Sequence, residues 1–298
     1  MNNKDSSREA FLKSPFFSTK HDSYFEIYDE AVAKLKSRPT GLPTIVEVGI
    51  LHGGSLFMWR ELFGPDARII GVDLNPLAKK WENYDFEIFI GNQSDVIFWD
   101  DFYKIVGPID FLVDDGGHTN RQQIVTTISC LKNLNPGGLI LIEDTNSSFH
   151  SDFANPSKYS FLNFCKKEVD FLYEERVSKS GSGQLGDNVE RITFLNSVIL
   201  IQTKDPNYLE PLGVDNHGAR DEASDFRYRD LGQLSQWIKL TSEWSARKLL
   251  ESRQAEELFI PKTWLLVGLS TTTLRLFHSL TFCMIWYENR RLRRFWKT

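Results

Sequence analysis

Glu47-Val48-Gly49-Ile50-Leu51-His52-Gly53-Gly54-Ser55 stands between the apolar run Thr44-Ile45-Val46 and the stretch Leu56-Phe57-Met58-Trp59. It reads as strand, glycine-rich turn, helix. Gly49, Gly53 and Gly54 remove Cβ atoms where the backbone turns sharply and where a ligand must come close. Ser55 falls where a helix begins, and the free N–H groups there can hold a polar or anionic group. Asp73 closes a second apolar run, Arg68 to Val72, at a spacing from which a carboxylate reaches the ribose hydroxyls of a nucleoside ligand. The pattern is not GxGxxG, and Glu47 ahead of the first glycine would repel a pyrophosphate. A cofactor carrying a sulfonium and an ammonium, S-adenosylmethionine, suits that acid better than a nicotinamide dinucleotide.

Outward from this segment the chain alternates. Short apolar runs at Ile45–Val48, Arg68–Val72, Glu87–Ile90, Phe111–Val113 and Leu139–Ile142 are separated by helical or loop stretches. Runs without polar alternation mark strands buried on both faces, and the intervening helices make the sheet parallel. The expected fold class is therefore α/β, a doubly wound, mostly parallel sheet. Asn135-Pro136-Gly137-Gly138 is a turn that launches the fifth strand, and Arg191–Gln202 reads as one closing strand. A helix through Ala31 and Leu35, ending before Arg38-Pro39, carries Tyr24, Phe25 and Tyr28. Phe25 reads as core, whereas Tyr24 and Tyr28 read equally as core or as part of a lid over the site. Residues before about Phe16 read as loosely ordered, and Thr119–Leu134 as a helix with Ile124, Ile128 and Leu131 on one face.

In such a sheet a ligand lies beyond the carboxyl ends of the strands. There the sequence places Asp73-Leu74-Asn75-Pro76, Gly91-Asn92-Gln93-Ser94, Asp114-Asp115-Gly116-Gly117-His118 and Glu143-Asp144-Thr145-Asn146. Four carboxylates at two neighbouring strand ends repel one another unless a cation sits among them. Hard oxygen donors suit Mg²⁺, or Mn²⁺, with Asp115, Glu143 and Asp144 as ligands and Asp114 behind them or facing the cofactor. Helix capping would account for a single acid but not for His118 three residues after Asp115. His118 is the candidate general base. Asn146 begins a loop, to Lys158, that is expected to cover the site.

HDSYFEIYDE (21–30), EVGILHGGSLFMW (47–59), GVDLNP (71–76), DDGGHTNRQQI (114–124), LNPGGLILIEDT (134–145) and ITFLNSVILI (192–201) together resemble the class I S-adenosylmethionine-dependent methyltransferases. The resemblance is to their metal-dependent sugar O-methyltransferase group, which includes the mycinamicin-type macrolide methyltransferases and the cephalosporin hydroxylase-like proteins. It covers about His21 to Thr203. It implies a seven-stranded sheet with a reversed final strand, S-adenosylmethionine as donor, Mg²⁺ in the site and a sugar or glycoconjugate hydroxyl as acceptor. By position it makes Asp115, Glu143 and Asp144 metal ligands, His118 the base, and Glu47, Gly49, Ser55, Asp73 and Gln93 cofactor contacts. Thr145-Asn146-Ser147-Ser148 departs from the aromatic or histidine-containing form of the group, which leaves the acceptor open.

The chain of 298 residues carries 35 Lys plus Arg against 40 Asp plus Glu, so no basic field points to nucleic acid. Cys130, Cys165 and Cys283 lack CxxC spacing and read as reduced thiols of a cytoplasmic protein. The N-terminus has no apolar stretch that would serve as a secretory signal. The expected organisation is an N-terminal segment and helix over 1–40, the catalytic domain over 41–204, a linker over 205–232 and a helical extension over 233–298. Within the extension, 264–287 is apolar and ends in an arginine-rich stretch reaching 297. Three readings of it are open, in order of preference: a helix in the membrane interface at the cytoplasmic face, a helix buried against a second subunit of a homo-oligomer, and a single span. A different class, a non-catalytic scaffold that keeps the cofactor fold and assembles through these helices, is disfavoured by the intact set Asp115, His118, Glu143 and Asp144.

Overall fold

The computed structural model describes residues 6–38, 41–153, 158–178, 185, 188–205 and 216–218. The linker from 206 to 215 and from 219 to 232, the extension over 233–298 with its 264–297 segment, and Cys283 lie outside the described residues. Among the described residues no helix is long and apolar enough to cross a membrane.

Seven strands form one sheet: β1 (Thr44–Val48), β2 (Arg68–Asp73), β3 (Glu87–Ile90), β4 (Ile109–Asp114), β5 (Leu134–Ile142), β6 (Val189–Leu195) and β7 (Val198–Thr203). Their spatial order is β3-β2-β1-β4-β5-β7-β6. The first five strands run parallel, and β7 is antiparallel to both β5 and β6. The doubly wound, mostly parallel seven-stranded sheet expected from the apolar runs is thus present, and the reversed strand is β7.

Helices α1 (Ser7–Leu12), α2 (Tyr24–Lys36), α3 (Gly54–Phe63), α4 (Val96–Val106), α5 (Asn120–Leu131) and α6 (Phe161–Ser178) complete the domain. Alternate strand residues feed two cores. Ile45, Phe111, Val113 and Leu141 pack with Tyr28, Leu35 and Trp59 on one face, while Val46, Leu112, Ile140 and Ile142 pack with Trp99, Cys130 and Phe161 on the other. Burial on both faces is why the strands carry no polar alternation.

Three local readings are corrected. Residues 1–5 lie outside the described residues, but residues 6–15 are not loose: α1 is capped by Ser6, whose side chain accepts from Glu9 N, and Ser7 Oγ donates to Phe25 O at 3.0 Å from a buried position. The run Arg191–Gln202 is not one strand but a hairpin, β6 and β7, which turns at Asn196-Ser197 with Ser197 at φ 66°. Two apolar strands with a two-residue turn of low contrast read as a single run. In α5 the fully buried face is Gln123, Thr126, Thr127 and Cys130 rather than Ile124, Ile128 and Leu131, which are only partly buried. The polar face is sustained by one bond within the helix, Thr127 Oγ1 to Gln123 O at 2.7 Å, and one to the segment after β5, Gln123 Nε2 to Glu143 O at 3.1 Å.

Candidate active site

The carboxyl ends of β1, β2, β3 and β4 surround a cavity of about 450 Å³. Gly49, Ser55, Asp73, Gln93, Asp115 and His118 are among its lining residues. Backbone geometry fixes the floor. Gly49 has φ +83°, and a Cβ there would lie 2.2 Å from the Asp115 carbonyl oxygen, so only glycine lets the ends of β1 and β4 approach this closely. Gly53 also has φ +75°, but a Cβ on it would meet the Trp81 ring at 2.4 Å, and one on Gly54 would meet Phe16 O at 2.4 Å. These two glycines admit packing partners from behind the turn and do not line the cavity.

Asp73 organises the loop above β1. Its Oδ2 accepts from Ile50 N at 3.1 Å and Leu51 N at 3.2 Å, and its Oδ1 accepts from Asn75 N at 2.8 Å. A carboxylate has about four acceptor positions, so hydroxyl donors can still be received on the cavity side. Gln93 donates through Nε2 to both oxygens of Asp114, at 2.9 and 3.0 Å, and its Oε1 accepts from Gly117 N at 2.9 Å. Asp114 itself is buried behind the cavity wall. Burial pushes its carboxyl up to about 6, against the donors from Gln93 and Gly116.

At the junction of β4 and β5 the acids divide into two groups. Asp115, His118 and Asp144 converge, each with one ligand atom, so that those three atoms lie within 4.8 Å of one another. His118 Nε2 is 3.9 Å from Asp115 Oδ1 and 3.5 Å from Asp144 Oδ2, and its Nδ1 is buried without a hydrogen-bond partner. His118 has φ 57° and Asp144 φ 51°, so two of the three stand in the left-handed region that a non-glycine residue adopts at a cost. Glu143, fully buried, turns the other way. Its Oε1 accepts from the Tyr28 hydroxyl at 2.5 Å, and both of its oxygens accept from Lys20 Nζ, at 3.0 and 2.9 Å.

Lys20, which no motif singled out, is the hub of this second group. Its ammonium also donates to Asp115 Oδ2 at 2.7 Å and stands 3.7 Å from Glu47 Oε1, with a side chain only 1% exposed. One ammonium does not neutralise three carboxylates in a dry setting. Burial therefore pushes Glu47 up and Glu143 up to about 8, while for Lys20 the surrounding carboxylates, Glu143 foremost, outweigh burial and hold the amine protonated. Glu47 thus lies beneath the cavity, toward Lys20, rather than among its lining residues. No sequence signal marks Lys20: it stands just outside the stretch that begins at His21, and a lone lysine carries no pattern of its own.

Tyr24 and Tyr28 are buried, and their hydroxyls reach the acids. Tyr24 Oη donates to Asp144 Oδ1 at 2.7 Å, so each tyrosine holds one of the adjacent pair Glu143-Asp144. Asn146 is exposed, within the short 3₁₀ turn Thr145–Phe149. Residues 154–157 of the loop expected to cover the site lie outside the described residues, and on the N-terminal side Phe17, Ser18 and Thr19 line the cavity.

The chain is similar to known methyltransferases. Residues 46–145 match a family described as "Methyltransferase domain". A 2'-O-methyltransferase of Streptomyces olivaceus acting on 8-demethyl-8-alpha-L-rhamnosyl tetracenomycin-C is 29% identical over 170 residues, 53% of this chain and 44% of that protein. The mycinamicin VI 2''-O-methyltransferase of Micromonospora griseorubida is 27% identical over 195 residues, 63% of this chain and 48% of the relative. The chain thus spans about half the length of these relatives. Among solved structures, the MycE methyltransferase of the mycinamycin biosynthetic pathway, in complex with Mg and SAH, superposes with a TM-score of 0.58 at 22% identity, covering 72% of this chain and 56% of that one. The fold is that of a methyltransferase, and the resemblance to the sugar O-methyltransferases drawn from the sequence motifs is borne out.

Proposed function

We propose that this methyltransferase domain transfers the methyl group of S-adenosylmethionine to a hydroxyl of a sugar or glycoconjugate, with a divalent cation, Mg²⁺ or Mn²⁺, in the site. The observation that carries the reading is the junction of two features: a cavity of about 450 Å³ ending in Asp73 and Gln93, and the convergent trio Asp115, His118 and Asp144 at its other side. The volume is in the range of small-molecule sites. One relative is named for 2'-O-methylation of a rhamnosyl tetracenomycin and the other for 2''-O-methylation of mycinamicin VI, and the solved neighbour carries Mg and SAH.

The residues fit both groups. Gly49 and Ser55 give the cofactor backbone and hydroxyl contacts, and Asp73 receives ribose hydroxyls. The protonated Lys20 against Asp115 and Glu143 is a cation already held by these oxygens, so the donor set accepts positive charge. Asp115 and Asp144 would hold a divalent ion, joined by Glu143 once Lys20 releases its oxygens; such an ion would supply positive charge that lowers the pKa of an adjacent acceptor hydroxyl. His118 then takes the hydroxyl proton at Nε2, and the carboxylates of Asp115 and Asp144 stabilise the imidazolium that forms. Tyr24 and Tyr28 hold the two acids that follow β5 through their hydroxyls. Alignment of acceptor oxygen, methyl carbon and sulfur is left to the rigid strand ends, where small losses of placement are costly.

Calorimetric titration of S-adenosylmethionine and S-adenosylhomocysteine, with and without Mg²⁺, tests the reading in the wild type and in Asp115→Ala/Glu143→Ala. Micromolar cofactor binding with a Mg²⁺ heat that vanishes in the double variant is expected. Binding of neither ligand would exclude an enzyme of this class and favour a scaffold that retains only the fold.

A further inference from the structure

The strap of residues 14–20 has two anchors and a cavity between them. At one end Ser14 Oγ donates to Gly54 O at 2.8 Å, and the Phe16 ring packs edge-on against Trp81 at 4.7 Å. In the middle Phe17, Ser18 and Thr19 form part of the cavity wall. At the other end Lys20 Nζ lies 2.7 Å from Asp115 Oδ2 and 3.0 and 2.9 Å from the two Glu143 oxygens. An ammonium has three hydrogens to donate, and here all three have carboxylate partners.

We infer that Lys20 is an internal rival of the divalent cation for Asp115 and Glu143, and that loading the metal on these two residues withdraws Lys20 and loosens the strap from the cavity mouth. The inference rests on the divalent-ion reading above. Mg²⁺ binds carboxylate oxygens at about 2.0–2.1 Å. An ion bound to the oxygens that Lys20 now occupies would lie within roughly 4 Å of Nζ, where like charges in a dry site repel strongly. One of the two must leave, and because the Lys20 side chain is only 1% exposed, its ammonium reaches water when the strap that carries it shifts, with Thr19 of the cavity wall as its chain neighbour. Metal occupancy and access to the cofactor cavity are thereby linked, and by reciprocity whatever loosens the strap favours the metal.

Two measurements test this, both independent of turnover. Mn²⁺ binding, followed by the loss of the free-ion electron paramagnetic resonance signal, is compared between wild type and Lys20→Met; removing the rival is expected to tighten Mn²⁺ about tenfold. Hydrogen exchange of wild-type residues 14–20, with and without saturating Mn²⁺, is expected to show deprotection of the strap on loading. The exchange experiment stands by itself if Lys20→Met does not fold. Unchanged or weaker Mn²⁺ affinity in a folded variant, or strap exchange that Mn²⁺ does not alter, overturns the inference while leaving the methyltransferase reading intact. Absence of Mn²⁺ binding in both proteins, with S-adenosylhomocysteine still bound, removes the divalent-ion reading and this inference together.

Discussion

The Tyr28 hydroxyl donates to Glu143 Oε1 at 2.5 Å across 115 residues of sequence, and both groups are buried. The bond ties α2 to the segment after β5 and holds Glu143 in its buried position. In Tyr28→Phe a buried carboxylate loses its neutral donor, which costs about 1–3 kcal/mol. A lowered thermal midpoint with the fold retained is expected in calorimetry or circular dichroism. An unchanged midpoint would mean that Lys20 alone satisfies Glu143.

His118→Ala is expected to lose turnover by roughly 10²–10⁴-fold, the usual span of general-base catalysis, with S-adenosylhomocysteine affinity retained. Single-turnover methyl transfer read beside calorimetric cofactor binding separates the two. Normal turnover would take His118 out of the mechanism.

Gly49→Ala should damage the site from below. A methyl group 2.2 Å from Asp115 O, at φ +83°, forces β1 and β4 apart at a cost on the order of 1–3 kcal/mol. Both stability and cofactor affinity should fall together. A variant that is destabilised but binds cofactor normally would show that the strand ends do not position it.

Asp73→Ala removes a group that accepts from three backbone amides, Ile50, Leu51 and Asn75. Cofactor affinity should drop at least tenfold, and Asp73→Asn, which keeps one acceptor oxygen, should recover part of it. Equal losses in the two variants would argue that charge, not loop geometry, is what the cofactor needs.

The buried thiols give a pH dependence whose sign is determined by burial. Desolvation pushes Cys130 up to about 12, against the Tyr103 hydroxyl bond, whereas the unfolded thiol ionises at its ordinary 9.0. The folded state therefore holds the proton longer, and stability is lost as pH rises from about 9 toward 12, by about 1.4 kcal/mol per pH unit. Urea midpoints should fall between pH 9 and 11, less so in Cys130→Ala. At pH 8 a disulfide reagent should leave Cys130 and Cys165 unmodified until the protein is unfolded.

Much of this domain was legible because burial on both faces writes itself as uninterrupted apolar runs, and because strand ends in an α/β sheet are where polar clusters gather. Ile45–Val48 and Leu139–Ile142 announced themselves in that way, and Asp115, His118 and Asp144 were visible as chemistry out of place at such ends. What was hidden depends on contacts between distant segments. The β6–β7 hairpin escaped because Asn196-Ser197 interrupts apolarity too briefly to register. The polar inner face of α5 was unreadable because the Gln123 amide nitrogen finds its acceptor in the backbone of Glu143, twenty residues on. Lys20 carried no local signal at all; its meaning lies in three carboxylates that follow it by 27, 95 and 123 residues, and only the fold gathers them.

The reversal of β7 has an effect beyond closing the sheet. It carries the two-residue turn of the hairpin up to the end of β5, where Ser197 O accepts from Thr145 N at 2.9 Å and lies 3.3 Å from the Tyr24 hydroxyl. A turn is the part of a domain that most readily tolerates insertion and replacement. This hairpin tip can therefore change in length or composition beside Asp144 while the parallel strands behind it keep their register.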